Sequence, residues 1–569
     1  MKKNILKNAL LLGAALMVGT SCTDNFENVN TDPYGLDDSQ VALSDLFNEA
    51  QVSVFYNQSN GDWEYQLIQN LNADLYSGYL ACPSAFNGGI NNDNYFMMNG
   101  WNTYCLNYVL LHVIKPMATV LKVEGLSDDY HAIATVLKVA GAQKMVDTYG
   151  PSPYSQTMQG GLSVAYDSEE EIYTSFLNDL ATACEELTSW LDKNGGKGDA
   201  TRLSWDNMAG QDQVTWLQFA NTLRLRLAMR CAMAAPSLAK QHAEAACANK
   251  YGLLETVDIQ VEDASTKNPQ GIIARSYNDM AISANYETIL KGFNDPRLAA
   301  TTLPVGWGGH GDIMDASGNA TGSVGDYKGV RNGHKDDGSS WKMYSTQYVP
   351  SSGNPYSNIM PLPIMNRAES YFLRAEGVLR GWNMGGGTAQ QYYENGIRAS
   401  FASIKECVKD HSWTTTADWT DADVERYIAG TTTQIDYVDP HAHVNDIKAV
   451  NNLPVAFMTS GTNEQKLEQI ITQKWIAGFP EGMNAWAEYR RTGYPHLFPI
   501  PSDNCNVQSE YLGGSTADLI ANGIRRLPFT DDEKSSNAAG YQTGMSILNA
   551  RGQQDVIDAR LWWDTGKNF

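Results

Sequence analysis

Apolar side chains recur at three- and four-residue intervals over much of this chain, the spacing that lines one face of an α-helix. Ile172, Phe176, Leu180, Leu187 and Leu191 share such a face behind Ser168-Glu-Glu-Glu171, which has the spacing of a capping box. Trp216, Ala220, Leu223 and Leu227 repeat the stripe, with Arg224 and Arg226 lying off it. Ala368, Tyr371, Phe372, Ala375, Leu379 and Trp382 form another, ended by Met384-Gly-Gly-Gly387, and Tyr392, Ile397 and Phe401 then repeat the period over 388–402. Two amphipathic helices around a short glycine turn match one tetratricopeptide-like unit, though without the full repeat consensus. Similar pairs are predicted at about 39–57 with 62–80 and 102–123 with 128–147, and helical periodicity continues over 464–479 and 483–491. The fold class is mostly α: a tetratricopeptide-like helical-repeat scaffold with long irregular loops and a few short hairpins. The exception to the periodicity runs from about 258 to 363 and is rich in Gly, Asn, Ser and Pro. Irregular stretches of that length usually serve function, and loops with short hairpins are expected there.

The amino end has a different pattern. Lys2, Lys3 and Lys7 precede an apolar stretch from Ala9 to Val18, which closes on Gly19-Thr20-Ser21-Cys22. Basic, apolar and small segments in that order make a secretory signal, and the apolar part is too short to span a bilayer. A cysteine at the cleavage point predicts a lipoprotein whose Cys22 sulfur carries diacylglycerol and becomes the mature N-terminus. Residues 1–21 are then the signal, 22–38 a lipidated polar tether, and 39–569 one domain with the 258–363 insert. No later apolar run has membrane-spanning length, so attachment to a membrane is expected through the lipid alone.

Charge narrows the partners. Acidic residues outnumber basic ones 64 to 41, a net charge of −23. That balance argues against nucleic acid, which demands a basic face, and against lying flat on anionic lipid. Cys22 aside, the chain has Cys82, Cys105, Cys184, Cys231, Cys247, Cys407 and Cys505. They form no CxxC pair, so neither a disulfide framework nor a zinc site is indicated, and most read as small buried hydrophobes.

The C-terminal third carries specific segments: Ile470-Ile-Thr-Gln-Lys-Trp-Ile-Ala-Gly-Phe-Pro480, Ala485-Trp-Ala-Glu-Tyr-Arg-Arg-Thr-Gly-Tyr-Pro495, Arg525-Arg-Leu-Pro-Phe529 and Leu561-Trp-Trp-Asp564. Asn28-Val-Asn-Thr-Asp-Pro33, Asp147-Thr-Tyr-Gly-Pro-Ser-Pro-Tyr154, Phe219–Ala228, Asp295-Pro-Arg297 and Ala368–Glu376 stand in order before them. Together they resemble the SusD/RagB family of Bacteroidetes outer-membrane lipoproteins across nearly the whole chain. The resemblance implies a cell-surface protein that captures nutrient, usually an oligosaccharide, as a lid over a SusC-like TonB-dependent transporter. It also implies binding without catalysis and no cofactor. Trp475, Trp486, Tyr489, Arg490 and Arg491 are read as packing and charge-pairing residues rather than ligand contacts.

Sugar recognition needs flat aromatic faces and paired polar groups. Family sites draw on loops in the first third and on the mid-chain insert. The first stretch offers Tyr79, Asn91, Asn92, Asp93 and Tyr95; the second offers Trp307, Tyr327, Trp341, Lys342 and Tyr344. Trp307 and Trp341 lead, because glycines around Trp307 should leave its ring faces open, whereas Trp101 is set aside as the start of a packed helix. Asp315, Ser317, Asn319, Thr321 and Asp326 space oxygens as in a calcium loop, but Ala320 stands where the turn wants Gly, so a solvated hairpin tip is preferred. Gly306, Gly308 and Gly311 match GxGxxG without a flanking βαβ pattern, and His441 and His443 lack a third ligand; neither is read as a site. Three other functions stand behind glycan capture: peptide capture, an all-α glycoside hydrolase needing two opposed carboxylates, and a surface scaffold without small ligand.

Overall fold

Long helices carry the architecture of the computed structural model, which describes residues 41–54, 62–98, 100–159, 163–261, 268–277, 279–315, 317–335, 344–347, 362–410 and 417–569. They include α1 (Leu43–Val54), α2 (Asp128–Tyr149), α3 (Glu169–Lys193), α4 (Gln213–Arg230), α5 (Pro236–Ala248), α6 (Ala368–Leu379), α7 (Ala389–Asp410), α8 (Asn463–Gly478), α9 (Gly482–Thr492) and α10 (Ala538–Ala550). Phe47–Phe569 is one compact unit; the first turn of α1 belongs to the other, Met1–Leu46. The signal, tether and Cys22 lie outside the described residues. No described helix is long and apolar enough to cross a membrane.

The predicted α3 start is realised at its capping box. Glu171 N–H donates to Ser168 Oγ at 3.3 Å, and Ser168 N–H donates to Glu171 Oε2 at 2.9 Å. Each helix then packs on its neighbour, α2 on α3, α3 on α4 and α4 on α5, and later α6 on α7 and α8. Close approach is built into the sequence: a Cβ at Gly396 of α7 would meet the Phe372 ring of α6 at 2.7 Å. The α6 stripe ends one turn earlier than its pattern, leaving Trp382 beyond the helix, while α7 runs on to Asp410.

Helix α4 is buried on nearly every side, including Arg226 and Arg230. Arg226 Nε donates to Glu369 Oε1 at 2.9 Å, and Lys474 bridges Glu369 and Glu488 at 3.1 and 3.2 Å. Arg491 pairs with both Glu376 and Glu488 at 2.7 Å, and Arg230 with Glu488 and Asp147. The Arg226 and Lys474 cations outweigh burial and hold the Glu369 carboxyl down to about 2. Trp475 and Trp486 are buried in this same body, donating to the Ser77 and Ile524 carbonyls. These signature residues therefore hold the scaffold together.

The 258–363 stretch differs from the expected run of loops and hairpins. It contains the helices Ala284–Gly292 and Arg297–Thr301, with Tyr286 and Arg297 fully buried. Among the described strand pairs only β5 (Ile313–Met314) with β6 (Ala320–Gly322) is a hairpin. The others join distant segments: β1 (Leu80–Ala81) with β3 (Ala281–Ile282), β2 (Ile259–Val261) with β8 (Leu362–Met365), and β4 (Thr302–Leu303) with β7 (Thr346–Gln347). Such pairings leave no local sequence period. β1–β3 fastens the insert onto the first-third loop, β2–β8 closes the insert's two ends on each other, and β4–β7 lies within it.

Candidate functional site

The two loop regions proposed from sequence do meet. Ser283 N–H donates to the Tyr79 carbonyl, Ala284 N–H to Val330, and Val330 N–H to Ile282, so β3 of the insert lies between the first loop and the segment at Val330. Ala81, Ala281, Val305, Ile313, Val330 and Tyr344 close the core beneath them. A cleft of about 290 Å³ is lined by Pro83, Ala85, Gly88 to Asn91, Asp93, Gly333, His334, Lys335 and Asn504, from both regions.

Side-chain hydrogen bonds shape its walls. Asn91 caps the turn Asn92–Asn94 in a reciprocal box with Asn94, and Tyr95 leaves it with φ +65°. Asp93, buried at the base, accepts from Asn332 Nδ2 at 2.8 Å and Gly333 N–H at 3.1 Å, clamping the turn to the insert. His334 Nδ1 lies 3.7 Å from the same carboxylate, and Lys335 pairs with Asp503 on the rim. Asn92 is buried too: its amide donates to the Leu71 carbonyl and Asn72 Oδ1, and its oxygen accepts from Met98 N–H. Asn92 therefore braces the loop.

The aromatic candidates separate by exposure. Tyr79 is fully buried, its hydroxyl donating to the Trp475 carbonyl and its ring against Trp475 and Phe479. It is a core residue, placed there because β1 pairs with β3. Trp307 is only 9 % exposed; its Nε1 donates to the Tyr344 carbonyl at 2.9 Å and its ring meets His310 edge-on. The neighbouring glycines do not open its faces. They let the backbone turn, Gly306 at φ +83° under Val324, so that the indole folds inward. Tyr344 is buried and donates to Asp439 Oδ1 at 2.6 Å, fastening the 437–446 loop. Tyr95 and Tyr327 are half-buried, and Trp341 with Lys342 lies outside the described residues.

Trp101 does not open the helix as its pattern predicts. The helix begins at Tyr104, so Trp101 sits in a turn, half-exposed, with its ring edge-on to Phe86 at 5.2 Å. Phe86 lies between the cleft residues Ala85 and Gly88. The missed signal was Gly100, whose φ of +83° stops the helical pattern one residue before the tryptophan.

The calcium-like spacing is not assembled. Asp315 accepts from the Ser317 and Asn319 N–H groups and from Asn319 Nδ2, an Asx turn at the β5–β6 tip. Asp326 pairs instead with Lys291 at 3.0 Å. His441 lies against the Met314 carbonyl and His443 against Asp446, so the two histidines face different partners.

A family model described as SusD-like, Susd and RagB outer membrane lipoprotein, matches residues 25–564. A chitin-binding SusD homolog from Flavobacterium johnsoniae is 37% identical, with TM-score 0.77 over 93% of this chain and 100% of that one. A SusD homolog from Bacteroides vulgatus is 30% identical, with TM-score 0.78 over 92% and 98%. One from Bacteroides uniformis is 29% identical, with TM-score 0.77 over 92% and 99%. No curated protein matches. The chain belongs to the SusD-like family of outer-membrane lipoproteins.

Proposed function

We propose that this protein captures an oligosaccharide at the cell exterior, does not cleave it, and delivers it to a SusC-like TonB-dependent transporter. The similarity over nearly the full length to a chitin-binding relative carries this reading. It makes β-linked N-acetylglucosamine oligomers the first ligands to test. The cleft between residues 82–94 and 333–335 offers what such a ligand requires. Asp93, His334, Lys335 and backbone groups supply polar contacts at its base and rim. The half-exposed Phe86–Trp101 pair beside it supplies an apolar face for a pyranose ring. Trp341 and Tyr327 of the insert, with Tyr95, remain the other proposed aromatics; Trp307, Tyr344, Tyr79 and Asn92 act on the site by holding its loops.

Calorimetry with chitohexaose, xylohexaose and maltohexaose, alongside chromatography of the incubated sugars, tests both halves of the proposal. The expected result is saturable binding of one glycan, weakened about tenfold (~1.4 kcal/mol) by Trp101→Ala, with no shortened product. Release of shorter sugars would point instead to a hydrolase. Binding of a peptide mixture with no response to any glycan would move the reading to peptide capture.

A further inference from the structure

Helices α3 and α5 both pack on α4. A shallow groove of about 690 Å³ runs over this three-helix face, away from the sugar cleft in the residues that line it. Arg224, in the middle of α4, contributes to the groove while being only 9 % exposed. Its Nε donates to His242 Nδ1 at 2.9 Å, and the Cys184 sulfur is within reach as a weak acceptor for the guanidinium. Among the described residues Arg224 takes part in no ion pair. The exposed Glu185 acts on it only through space.

The other buried arginines are provided for differently. Arg226, Arg230, Arg297, Arg367, Arg491, Arg525 and Arg526 each face a carboxylate. Arg331 and Arg490 donate to backbone carbonyls. Arg224 has a neutral imidazole instead: burial first, and the guanidinium second, push His242 down to about 4. A cation stripped of most of its water is costly without a counter-ion. A chain with 64 acidic residues had ample means of supplying one.

We propose that this groove is a carboxylate-binding site, in which the two Nη groups of Arg224 receive the ligand's carboxylate end-on. End-on geometry follows from the use of Nε by His242, and a planar guanidinium matches a carboxylate through two parallel hydrogen bonds. Ser189 on α3 and the small Ala181 and Ala245 leave room for the rest of the ligand. Glu185 on the same wall repels a doubly charged phosphate more than a monocarboxylate, while Asp192 is already paired with Lys250. The carboxylate can come from a sugar acid or from the C-terminus of a peptide.

The test uses the mature chain and follows its thermal midpoint against sodium glucuronate, N-acetyl-Gly-Gly and the amide of that peptide, with ionic strength held constant by NaCl. A saturable rise of a few degrees is expected with the two carboxylates, half-complete at roughly millimolar concentration, and none with the amide. The rise should disappear in Arg224→Gln. It should also disappear in Ala245→Trp, an exposed α5 position where the indole fills the groove and leaves Arg224 in place. Tighter glucuronate than peptide identifies a sugar acid, and the reverse identifies a chain terminus. An equal rise in wild type and Ala245→Trp, or no saturable rise in wild type, overturns the proposal.

Discussion

An indole can stack on a sugar only through a face that solvent reaches, and the tryptophans at 101 and 307 differ in that respect. Trp307 is almost wholly enclosed, with its N–H committed to the Tyr344 carbonyl. Replacing it with alanine removes a large buried side chain and strands a carbonyl, which should cost about 3–5 kcal/mol. Trp101 is half-exposed in a turn, so its replacement should change stability by under about 1 kcal/mol while weakening sugar binding. Urea unfolding of Trp307→Ala and Trp101→Ala, each paired with a binding titration, separates the roles. Equal losses of stability in the two variants would refute the assignment. The sequence reads Trp307 as open and Trp101 as packed, and their exposures are the reverse for a physical reason. Glycines beside an aromatic ring look like open space, yet positive-φ glycines are also what lets a chain reverse and tuck the ring inside.

At the level of elements, the helices were legible because burial imposes a 3.6-residue period. The α3 capping box, the α6–α7 pair and the signature residues Trp475, Trp486, Arg490 and Arg491 stand as packing devices, as their pattern indicated. The insert was not legible, since β1–β3, β2–β8 and β4–β7 pair across wide separations and its helix Ala284–Gly292 sits among loop-like residues. One junction between elements has a consequence in pH. Asp74, fully buried in the helical stretch 62–76, lies against the start of α9 so closely that a Cβ on Gly482 would fall 1.9 Å from Oδ1. Burial pushes its carboxyl from 3.8 up to about 7, against hydrogen bonds from Asn70 and Gln69 that favour the charged form. Between those two pH values the folded chain keeps a proton that the unfolded chain has released. Stability therefore falls as pH rises through the window and levels off above it, by at most about 4 kcal/mol. In Asp74→Asn that slope should be shallower by one proton between pH 4 and 7, measured as urea midpoints at each pH. Parallel profiles for the two proteins would show that Asp74 is ionised throughout.

For the whole molecule, the decisive question is what keeps a strongly acidic body at a membrane. No described helix is long and apolar enough to cross one, and a net charge of −23 is repelled by anionic headgroups. The chain belongs to an outer-membrane lipoprotein family, and we propose acyl chains on Cys22 as the attachment. Each buried methylene adds about 0.8 kcal/mol, so several chains together hold firmly while one is reversible. Everything from Phe47 onward forms its own compact unit, with the cleft built wholly inside it. Anchor and binding should therefore separate cleanly. Cys22→Ala, exported from a signal with an ordinary cleavage site, should leave the membrane pellet for the soluble fraction while its glycan affinity stays within about twofold of the lipidated protein, a difference below ~0.5 kcal/mol. Fractionation and calorimetry on the same preparation read both quantities. A variant that still sediments with membranes would mean that the folded body itself holds a membrane partner. A released variant with weakened affinity would mean that the tether or the anchored orientation contributes to the site.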